Sequence, residues 1–287
     1  MATWSAPGKV FLFGEHAVVF GKPGIAMAIK PRVFVTVRKA RQANVAKSAY
    51  IEECFRLTGV KGSVYVRSQL PSSSGLGSSA AVTVATLSAI NDEFRLSYSR
   101  EQIAKMAHSV EKKVQGRASA TDTYVSSFGG IVFIAGGAKR RLPPADIQLI
   151  VGNTMISHNT GKLVAHVAKM KESYPEIVEP ILNAIEGVAM KGIHKFQAPK
   201  ELGMLMDINQ SLLDALGVGH PQLSRMILAA RDAGAYGAKI TGAGGGGSMI
   251  AVYNKRHKNK VVKAIESCGG KTVITSIDSE GVRKEKE

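Results

Sequence analysis

Residues 71–81 constrain the fold of this chain most strongly, because serines and glycines there join two segments of different periodicity. Residues 63–67 alternate in polarity as a strand does, and residues 81–90 form a long apolar run typical of a helix. Gly75 and Gly77 allow the backbone to approach a ligand closely, and the helix behind them presents unpaired N–H groups at the positive end of its dipole. The segment therefore predicts an anion site, with phosphate as the expected anion.

The composition is that of a globular protein with a sizeable core. The 287 residues suffice for one large domain or two ordinary ones, and 45% of them are hydrophobic. No apolar run reaches 18 residues, and residues 1–5 lack the basic and apolar regions of a signal peptide. Cys54 and Cys268 are too few and too far apart for a metal cluster or a disulfide framework. We therefore expect a cytoplasmic protein with reduced thiols and no membrane partner.

The net charge of +16 allows two interpretations: nucleic-acid binding, or a field that favours anionic substrates. The basic residues are dispersed, and the densest cluster, at residues 255–260, contains no aromatic residue that could stack on a base. We therefore expect no nucleic-acid partner and keep a basic nucleic-acid-binding protein as the non-enzyme alternative.

Periodicity and turn signals predict strands and helices in mixed order, with a domain boundary in the turn-rich residues 136–144. The expected domains are residues 1–145 and 146–287, and the charged tail at 280–287 is expected to fray. The predicted strands lie at 10–13, 32–37, 63–67, 129–134, 147–151, 248–253 and 271–275. A further strand is predicted just before the glycines at 242–247. The predicted helices lie at 44–57, 81–90, 99–114, 160–171, 176–190, 199–216, 219–234 and 258–268.

Two glycine segments match dinucleotide-binding fingerprints but lack the structural context of a Rossmann fold. The first, Gly75-x-Gly77-x-x-Ala80, is followed by two helices instead of a helix and a strand that ends in an acidic residue. The second, at residues 242–247, is followed by a strand. A nicotinamide enzyme is therefore the weaker interpretation, and we interpret the glycines at 242–247 as a backbone cradle for a ligand, with a flexible hairpin tip as the alternative.

Several titratable side chains are candidates for chemistry, and each also has an ordinary structural interpretation. Lys9 could be a surface lysine, and His16 could be structural. Glu111 lies beside the apolar stripe of its predicted helix and could pair with a surface lysine, and Asp122 could cap a helix. His108 and Glu111 have a spacing that a zinc pair can use, but no third ligand accompanies them.

Three segments occur in a characteristic order. They are Ser-Ala-Pro-Gly-Lys with Gly-Glu-His at residues 5–16, the serine–glycine segment at 71–81, and Lys-Ile-Thr-Gly-Ala-Gly-Gly-Gly-Gly at 239–247. Together they resemble the GHMP kinase superfamily of galacto-, homoserine, mevalonate and phosphomevalonate kinases. Within that superfamily, residues 5–21 and 121–130 are similar to the mevalonate kinases, and the length is similar to that of the short archaeal members.

The resemblance implies an α+β fold, with an N-terminal domain like ribosomal protein S5 domain 2 and a ferredoxin-like C-terminal domain. It implies ATP-dependent phosphorylation of the 5-hydroxyl of (R)-mevalonate, in isoprenoid synthesis, with Mg²⁺ as cofactor. The implied partners are ATP and mevalonate, and a homodimer is compatible with the family. Another small-molecule GHMP kinase, acting on phosphomevalonate or homoserine, is the alternative enzyme.

The resemblance also implies roles for individual residues. Asp122 would accept the proton of the substrate hydroxyl, and Lys9 would stabilise the alkoxide and the developing phosphoryl charge. Ser79 and Glu111 would bind Mg²⁺, with Ser78 as a substitute. The implied ATP-binding residues are Pro71, Ser72, Ser73, Ser74, Gly75, Leu76, Gly77, Ser78, Ser79, Ala80 and Ala81. The implied substrate-binding residues are Lys9, Glu15, His16, Asp122, Thr241 and Gly242.

The chain departs from the family pattern at three positions. Ser73 stands where many relatives have glycine, Val82 where some have tyrosine, and Ala118 where proline is frequent. If position 73 requires a positive φ, serine there costs roughly 1 kcal/mol, so we expect the entrance of the phosphate segment to differ.

Overall fold

Two antiparallel sheets with helices packed against them organise the chain in our computed structural model, which describes residues 1–40, 48–71, 74–116, 119–157 and 159–286. Within these ranges no helix is both long and apolar enough to cross a membrane. The strands are β1 (Ala2–Phe13), β2 (Gly24–Lys39), β3 (Gly62–Ser68), β4 (Ile131–Ala135), β5 (Ala138–Arg141), β6 (Gln148–Asn153), β7 (Ala235–Thr241), β8 (Ser248–Tyr253), β9 (Lys271–Ser276) and β10 (Arg283–Lys284). The helices are α1 (Ala49–Thr58), α2 (Ser78–Phe94), α3 (Arg100–Gln115), α4 (Ala120–Phe128), α5 (Thr160–Ser173), α6 (Pro175–Gly192), α7 (Pro199–Ala215), α8 (Pro221–Asp232) and α9 (Lys258–Ser267).

The first sheet has the strand order β10-β1-β2-β4-β5, and β3 pairs with the second half of β2. Its two central strands are longer than predicted because each continues past a proline. The register shifts where Pro7 pairs with Arg32 and Gly8 pairs with Ile29. Pro31 therefore lies in a bulge, where a residue without a backbone N–H removes no ladder hydrogen bond.

Helix α2 is the centre of the first half of the structure, since it contacts β1, β2, α1, α3 and α4. Alanines and small polar residues make this close approach feasible, and an unbroken run from Thr83 to Ile90 is buried. The hydroxyl groups of Thr83, Thr86 and Ser88 donate to backbone carbonyls four residues earlier, so the buried helix keeps its polar atoms satisfied. The N-terminus of α2 is thereby held in a fixed position.

The second sheet has the order β7-β8-β6-β9. With α8 between β6 and β7 and α9 between β8 and β9, this is the βαββαβ topology of a ferredoxin-like fold. Helices α5, α6 and α7 are inserted before α8, and α6 and α7 also contact β1. The predicted α+β class and the ferredoxin-like second half are confirmed, whereas the domain division after residue 145 stays a prediction.

Helix α4 and strands β5 and β10 were not expected from the sequence. Helix α4 is rich in serine and threonine, which are weak helix formers, and packing decides its conformation: Val125 is fully buried, and the hydroxyl of Ser126 donates to the carbonyl of Pro7 at 2.9 Å. Strand β5 forms a hairpin with β4. The predicted helix at 44–57 is observed as α1, and its first four predicted residues lie outside the described ranges.

The prediction of a frayed tail is wrong. Strand β10 pairs with β1, and the guanidinium group of Arg32, which is 3% exposed, donates to the carboxylate of Asp278. The same guanidinium group donates to Oγ of Ser5 at 2.6 Å and to the carbonyl of Gly281 at 2.5 Å. The tail is held in place by β10 and by Gly281, which together with the preceding Asp278 supplies acceptors that a buried arginine requires.

We expect Asp278→Ala to lower the free energy of unfolding by about 3–5 kcal/mol, because it leaves a buried guanidinium group without its carboxylate. Glu201→Ala is the matched control, since it removes a pair with Lys195 in which the two side chains are 50% and 35% exposed, and it should cost less than about 1 kcal/mol. Urea unfolding of both variants measures the difference. Equal losses would show that the tail contributes nothing beyond a surface ion pair.

Candidate active site

Lys9 and Asp122 form an ion pair at the centre of the candidate site. Lys9 lies in β1 and is 5% exposed, and its Nζ is 3.2 Å from Oδ2 of Asp122. Asp122 lies in the first turn of α4, where the helix dipole favours a negative charge. The helix cap is Ser119, whose hydroxyl accepts from the backbone N–H of Thr121. Interpreting Asp122 as a helix cap is therefore wrong, and its carboxylate faces Lys9.

The side chain of Lys9 crosses the N-terminus of α2. A Cβ atom at Gly77 would lie 2.8 Å from Cγ and 3.3 Å from Cε of Lys9, so only glycine leaves room for the lysine. Gly77 is also the N-cap of α2 and has no side chain with which to cap the first N–H groups. The backbone N–H of Lys9 donates to the carbonyl of Leu76 at 2.8 Å. A cation and an uncapped helix N-terminus thus lie side by side.

The predicted phosphate segment turns through two left-handed glycines, since Gly75 and Gly77 both have φ of +74°. Helix α2 begins at Ser78, three residues before its predicted start. Ser79 therefore lies in the first helical turn, close to the dipole end that attracts anions. Residues 72–73 (Ser72 and Ser73), and with them the expected difference at the segment entrance, lie outside the described ranges.

The remaining residues of the segment are held by packing and by one link to the second sheet. The carbonyl of Ser74 accepts a hydrogen bond of 2.8 Å from Oγ of Ser248, the first residue of β8. Pro71 is half-buried. The apolar residues of the segment are buried, namely Leu76, Ala80 and Ala81. These three could therefore contact a phosphate only through their backbone.

Ser79 and Glu111 meet beside the ion pair. Oγ of Ser79 donates to Oε1 of Glu111 at 2.8 Å, and Glu111 is 3% exposed on the inner face of α3. Burial, and after it the charge of Asp122, raises the pKa of Glu111 to about 7, against the opposing effects of Ser79 and Lys9. The surface-acid interpretation of Glu111 is therefore wrong. The ionised form of a buried carboxylate that lies near a second carboxylate is stable only when a cation is close by.

Glu15, a predicted substrate contact, is paired with a lysine that the sequence analysis left without a role. The ammonium group of Lys239 in β7 donates to Oε1 of Glu15 and to the carbonyl of Ile240. Burial raises the pKa of Glu15 and lowers that of Lys239, and the contact between them opposes both shifts. Asn209 in α7 approaches the other carboxylate oxygen at 3.4 Å. Lys239 lies two residues before Thr241 on a buried strand. This spacing is the sequence signal that could have identified Lys239 as a residue of the site.

His16 presents one ring nitrogen to a defined partner. Its Nε2 is 2.8 Å from the carbonyl of Ala243, and because a carbonyl only accepts, Nε2 carries the hydrogen. Its buried Nδ1 has no partner among the described residues. Burial lowers the pKa of His16, so the neutral ring offers Nδ1 as an acceptor. His16 also has a φ of +62°, a strained conformation that a binding residue can retain when its surroundings enforce it.

Thr241 and Gly242 border the same region in different ways. The hydroxyl of Thr241 accepts from the backbone N–H of Phe11 at 2.8 Å and donates to its carbonyl at 3.1 Å. Its one donor hydrogen is therefore used between β1 and β7. A Cβ atom at Gly242 would have the carbonyl of Gly75, at 3.8 Å, as its nearest neighbour, so this glycine faces the phosphate segment.

The glycines after Gly242 are required by packing inside the protein. All four, at residues 244–247, have positive φ. A Cβ atom at Gly244 would overlap the carbonyl of Val218, and one at Gly246 would lie 2.8 Å from the carbonyl of Ile156. These two glycines therefore allow a tight turn against neighbouring backbone. The sequence analysis had interpreted residues 242–247 as a ligand cradle or a flexible hairpin tip, and neither interpretation included this packing role.

We expect Gly244→Ala to lower the free energy of unfolding by roughly 3–5 kcal/mol, since it adds backbone overlap to left-handed strain. Gly21→Ala is the control, because Gly21 has the same φ of +81° and no atom within 4 Å of the added Cβ. It should cost about 1–2 kcal/mol. Denaturant unfolding distinguishes the two, and losses of the same size would rule out the packing explanation.

Comparison with protein families and relatives gives a consistent result. The profile described as GHMP kinases N terminal domain matches residues 40–130, and the profile described as GHMP kinases C terminal matches residues 189–271. A curated mevalonate kinase of Pyrococcus furiosus is 40% identical, and the alignment covers 98% of this chain and 97% of the relative.

Solved structures agree in fold. The mevalonate kinase of Methanococcus jannaschii superposes with a TM-score of 0.85 at 26% identity, over 96% of this chain and 98% of the other. The mevalonate kinase of L. major in complex with R-mevalonate superposes with a TM-score of 0.87 at 22% identity, over 96% and 95% of the two chains. At 22% identity, that second likeness concerns the fold alone.

Proposed function

The chain belongs to the mevalonate kinase family of the GHMP kinases, and we propose that it transfers the γ-phosphoryl group of ATP to the 5-hydroxyl of (R)-mevalonate. Lys9, Asp122, Ser79 and Glu111 would form the reacting centre. The observation that carries this proposal is the position of Lys9, between the carboxylate of Asp122 and the uncapped N-terminus of α2. A nucleotide phosphate at that helix end and an alcohol at Asp122 would both contact the same ammonium group.

The chemistry matches what these groups can supply. Phosphoryl transfer depends mainly on positioning and charge neutralisation. The alcohol oxygen forms a bond to the γ-phosphorus while the bond from phosphorus to the bridging oxygen of ADP breaks. A carboxylate is a weak base towards an alcohol, so the proton passes to Asp122 late, as the new bond makes the hydroxyl more acidic. Lys9 stabilises the negative charge that develops on the transferring group.

Ser79 and Glu111 fit the magnesium ion that the reaction requires. Both offer oxygen ligands, which Mg²⁺ prefers, and Glu111 is a buried carboxylate whose ionised form needs a cation. Among the described residues no group of three His, Cys, Asp or Glu side chains could hold a metal. Mg²⁺ at a nucleotide commonly takes most of its ligands from phosphate and water. When bound, the ion would neutralise phosphate charge.

Asp122 and His16 would form the substrate side of the site, and Gly242 would border it where it faces the phosphate segment. The unpartnered Nδ1 of neutral His16 can accept a hydrogen bond from a hydroxyl group. Roles in substrate binding for Thr241 and Glu15 have less support, because the hydroxyl and the carboxylate already have protein partners. The cytoplasmic location and the homodimer stay predictions.

Asp122→Asn should lower kcat by about 10²–10⁴-fold, since an amide cannot accept the hydroxyl proton. Nucleotide affinity should stay near that of the parent, because Asp122 contributes to the alcohol side. Asp232→Asn, at the exposed end of α8, is the control and should keep full activity. Steady-state assays and nucleotide titrations measure both, and a near-normal kcat in Asp122→Asn would remove the residue from the reaction.

Glu111→Gln should raise the Mg²⁺ concentration needed for half-maximal activity by roughly tenfold or more, because a neutral amide replaces an anionic ligand. Glu101→Gln tests the same change on the exposed first turn of α3 and should leave the magnesium titration unchanged. If both variants give the parental titration, Glu111 is not a magnesium ligand.

The substrate itself is tested by ADP release with mevalonate, phosphomevalonate, homoserine and galactose in parallel. We expect activity with mevalonate and little or none with the others. Activity confined to another alcohol would replace mevalonate by that substrate. Salt-sensitive RNA binding without ADP release would favour the nucleic-acid alternative.

A further inference from the structure

Lys9 has a further close contact in the candidate site, with the aromatic ring of Phe11. Both residues lie in β1, two positions apart, so their side chains leave the same face of the strand. The ammonium nitrogen of Lys9 lies over the Phe11 ring, 4.8 Å from the ring centroid. Cation–π interactions extend to about 6 Å from the centroid. The negative face of an aromatic ring therefore lies against the cation of the candidate site.

The ring of Phe11 is fixed by both its backbone and its side chain. The backbone N–H of Phe11 donates to Oγ1 of Thr241 at 2.8 Å, and the backbone carbonyl accepts from the same hydroxyl at 3.1 Å. The side chain of Phe11 is buried in an apolar cluster with residues of β2, β4 and α4, namely Ala26, Ala28, Val125, Val132 and Ile134. The ring therefore has little freedom to move away from the ammonium group of Lys9.

The chemical nature of this neighbour matters because Lys9 is buried and would act on an anion. A buried ammonium group needs partners that replace its lost water, and the carboxylate of Asp122, at 3.2 Å, is one of them. A carboxylate in place of Phe11 would compete with the phosphoryl group for the cation, and an aliphatic side chain would exclude water without attracting the cation. An aromatic ring attracts the cation and carries no net charge. Lys9 therefore stays available to the group being transferred.

We propose that Phe11 is a positioning residue, whose ring holds the ammonium group of Lys9 between Asp122 and the N-terminus of α2 through a cation–π interaction. Phe11 acts through Lys9 and takes no part in the bond changes. Thr241 contributes to this arrangement by fixing the backbone of Phe11. The inference rests on the proposed kinase function, because that function gives Lys9 its role.

Stepwise fluorination of the Phe11 ring tests the proposal, because fluorine weakens the negative face of the ring and changes its shape little. With mono-, di- and trifluorophenylalanine at position 11, kcat should fall progressively, by about tenfold in total, and the KM for ATP should stay within about threefold of the parent. The same series at Phe34 is the matched control. The guanidinium carbon of Arg67 lies over that ring, 4.3 Å from its centroid, and neither residue belongs to the candidate site, so kcat should stay parental.

A spectroscopic measurement tests the contact without any activity. Protons that lie over the face of an aromatic ring resonate upfield, and the ε-methylene protons of Lys9 adjoin the nitrogen that lies over Phe11. In protein labelled with ¹³C-lysine, Phe11→Leu should therefore move the Lys9 ε-methylene signal downfield, and Phe34→Leu should leave it in place. Lys9→Met identifies the signal by removing it.

Different outcomes contradict the inference and its premise. A kcat that stays constant across the Phe11 series, or that falls equally in the Phe34 series, would overturn the positioning role, and this test holds even if Phe11→Leu fails to fold. A Lys9 signal that does not move in folded Phe11→Leu would overturn the contact itself. A parent that phosphorylates none of the four alcohols would overturn the proposed function, and the Lys9 signal would still test the contact.

Discussion

The candidate site depends on the close contact between the side chain of Lys9, in strand β1, and Gly77, at the N-terminus of helix α2. The strand supplies the cation and the helix supplies the uncapped N–H groups, and they can approach because position 77 has no side chain. The backbone of Lys9 is bonded to Leu76 in the same place. Asp122 extends from α4 to Lys9, and Glu111 extends from α3 to Ser79 in the first turn of α2. One close contact of strand and helix therefore determines where these four side chains meet.

Charge balance is the second constraint at this site. Two carboxylates of the candidate site, Asp122 and Glu111, lie near one lysine, and burial, together with the charge of Asp122, raises the pKa of Glu111 to about 7. The phosphate groups of a nucleotide would add further negative charge. On the proposed function, a divalent cation that enters with the nucleotide would offset this charge, and the hydroxyl and carboxylate oxygens of the site are ligands that such a cation accepts.

Those parts of the fold that arise from local patterns were predictable. Helix α3 begins where Ser99 and Gln102 form a capping box, and the glycines at 75 and 77 adopt the left-handed conformation for which glycine is suited. The order of three motifs identified the superfamily and hence both halves of the fold. The capping box and the two glycines are local signals, and each of the three motifs is at most a dozen residues long, although their order extends over most of the chain.

What escaped prediction depends on contacts between distant residues. Helix α4 forms because Val125 and Ser126 pack on β1, although its composition disfavours a helix. The significance of Lys239 appears only when Glu15, 224 positions away, is placed beside it. The tail looked like a solvated charge run because nothing near it in sequence reveals the buried Arg32. Burial of charge is a property of the whole fold, and a single sequence does not display it.

The pairing of β1 with β10 also affects the order in which the protein folds. Ser5 and Glu285 are hydrogen-bonded although 280 positions separate them, and β1, which holds Lys9, has β10 as its neighbour on one side. Contacts between such remote positions carry a large loop-closure entropy and generally form late in folding. The strand that bears Lys9 would thus gain β10 as a neighbour near the end of folding.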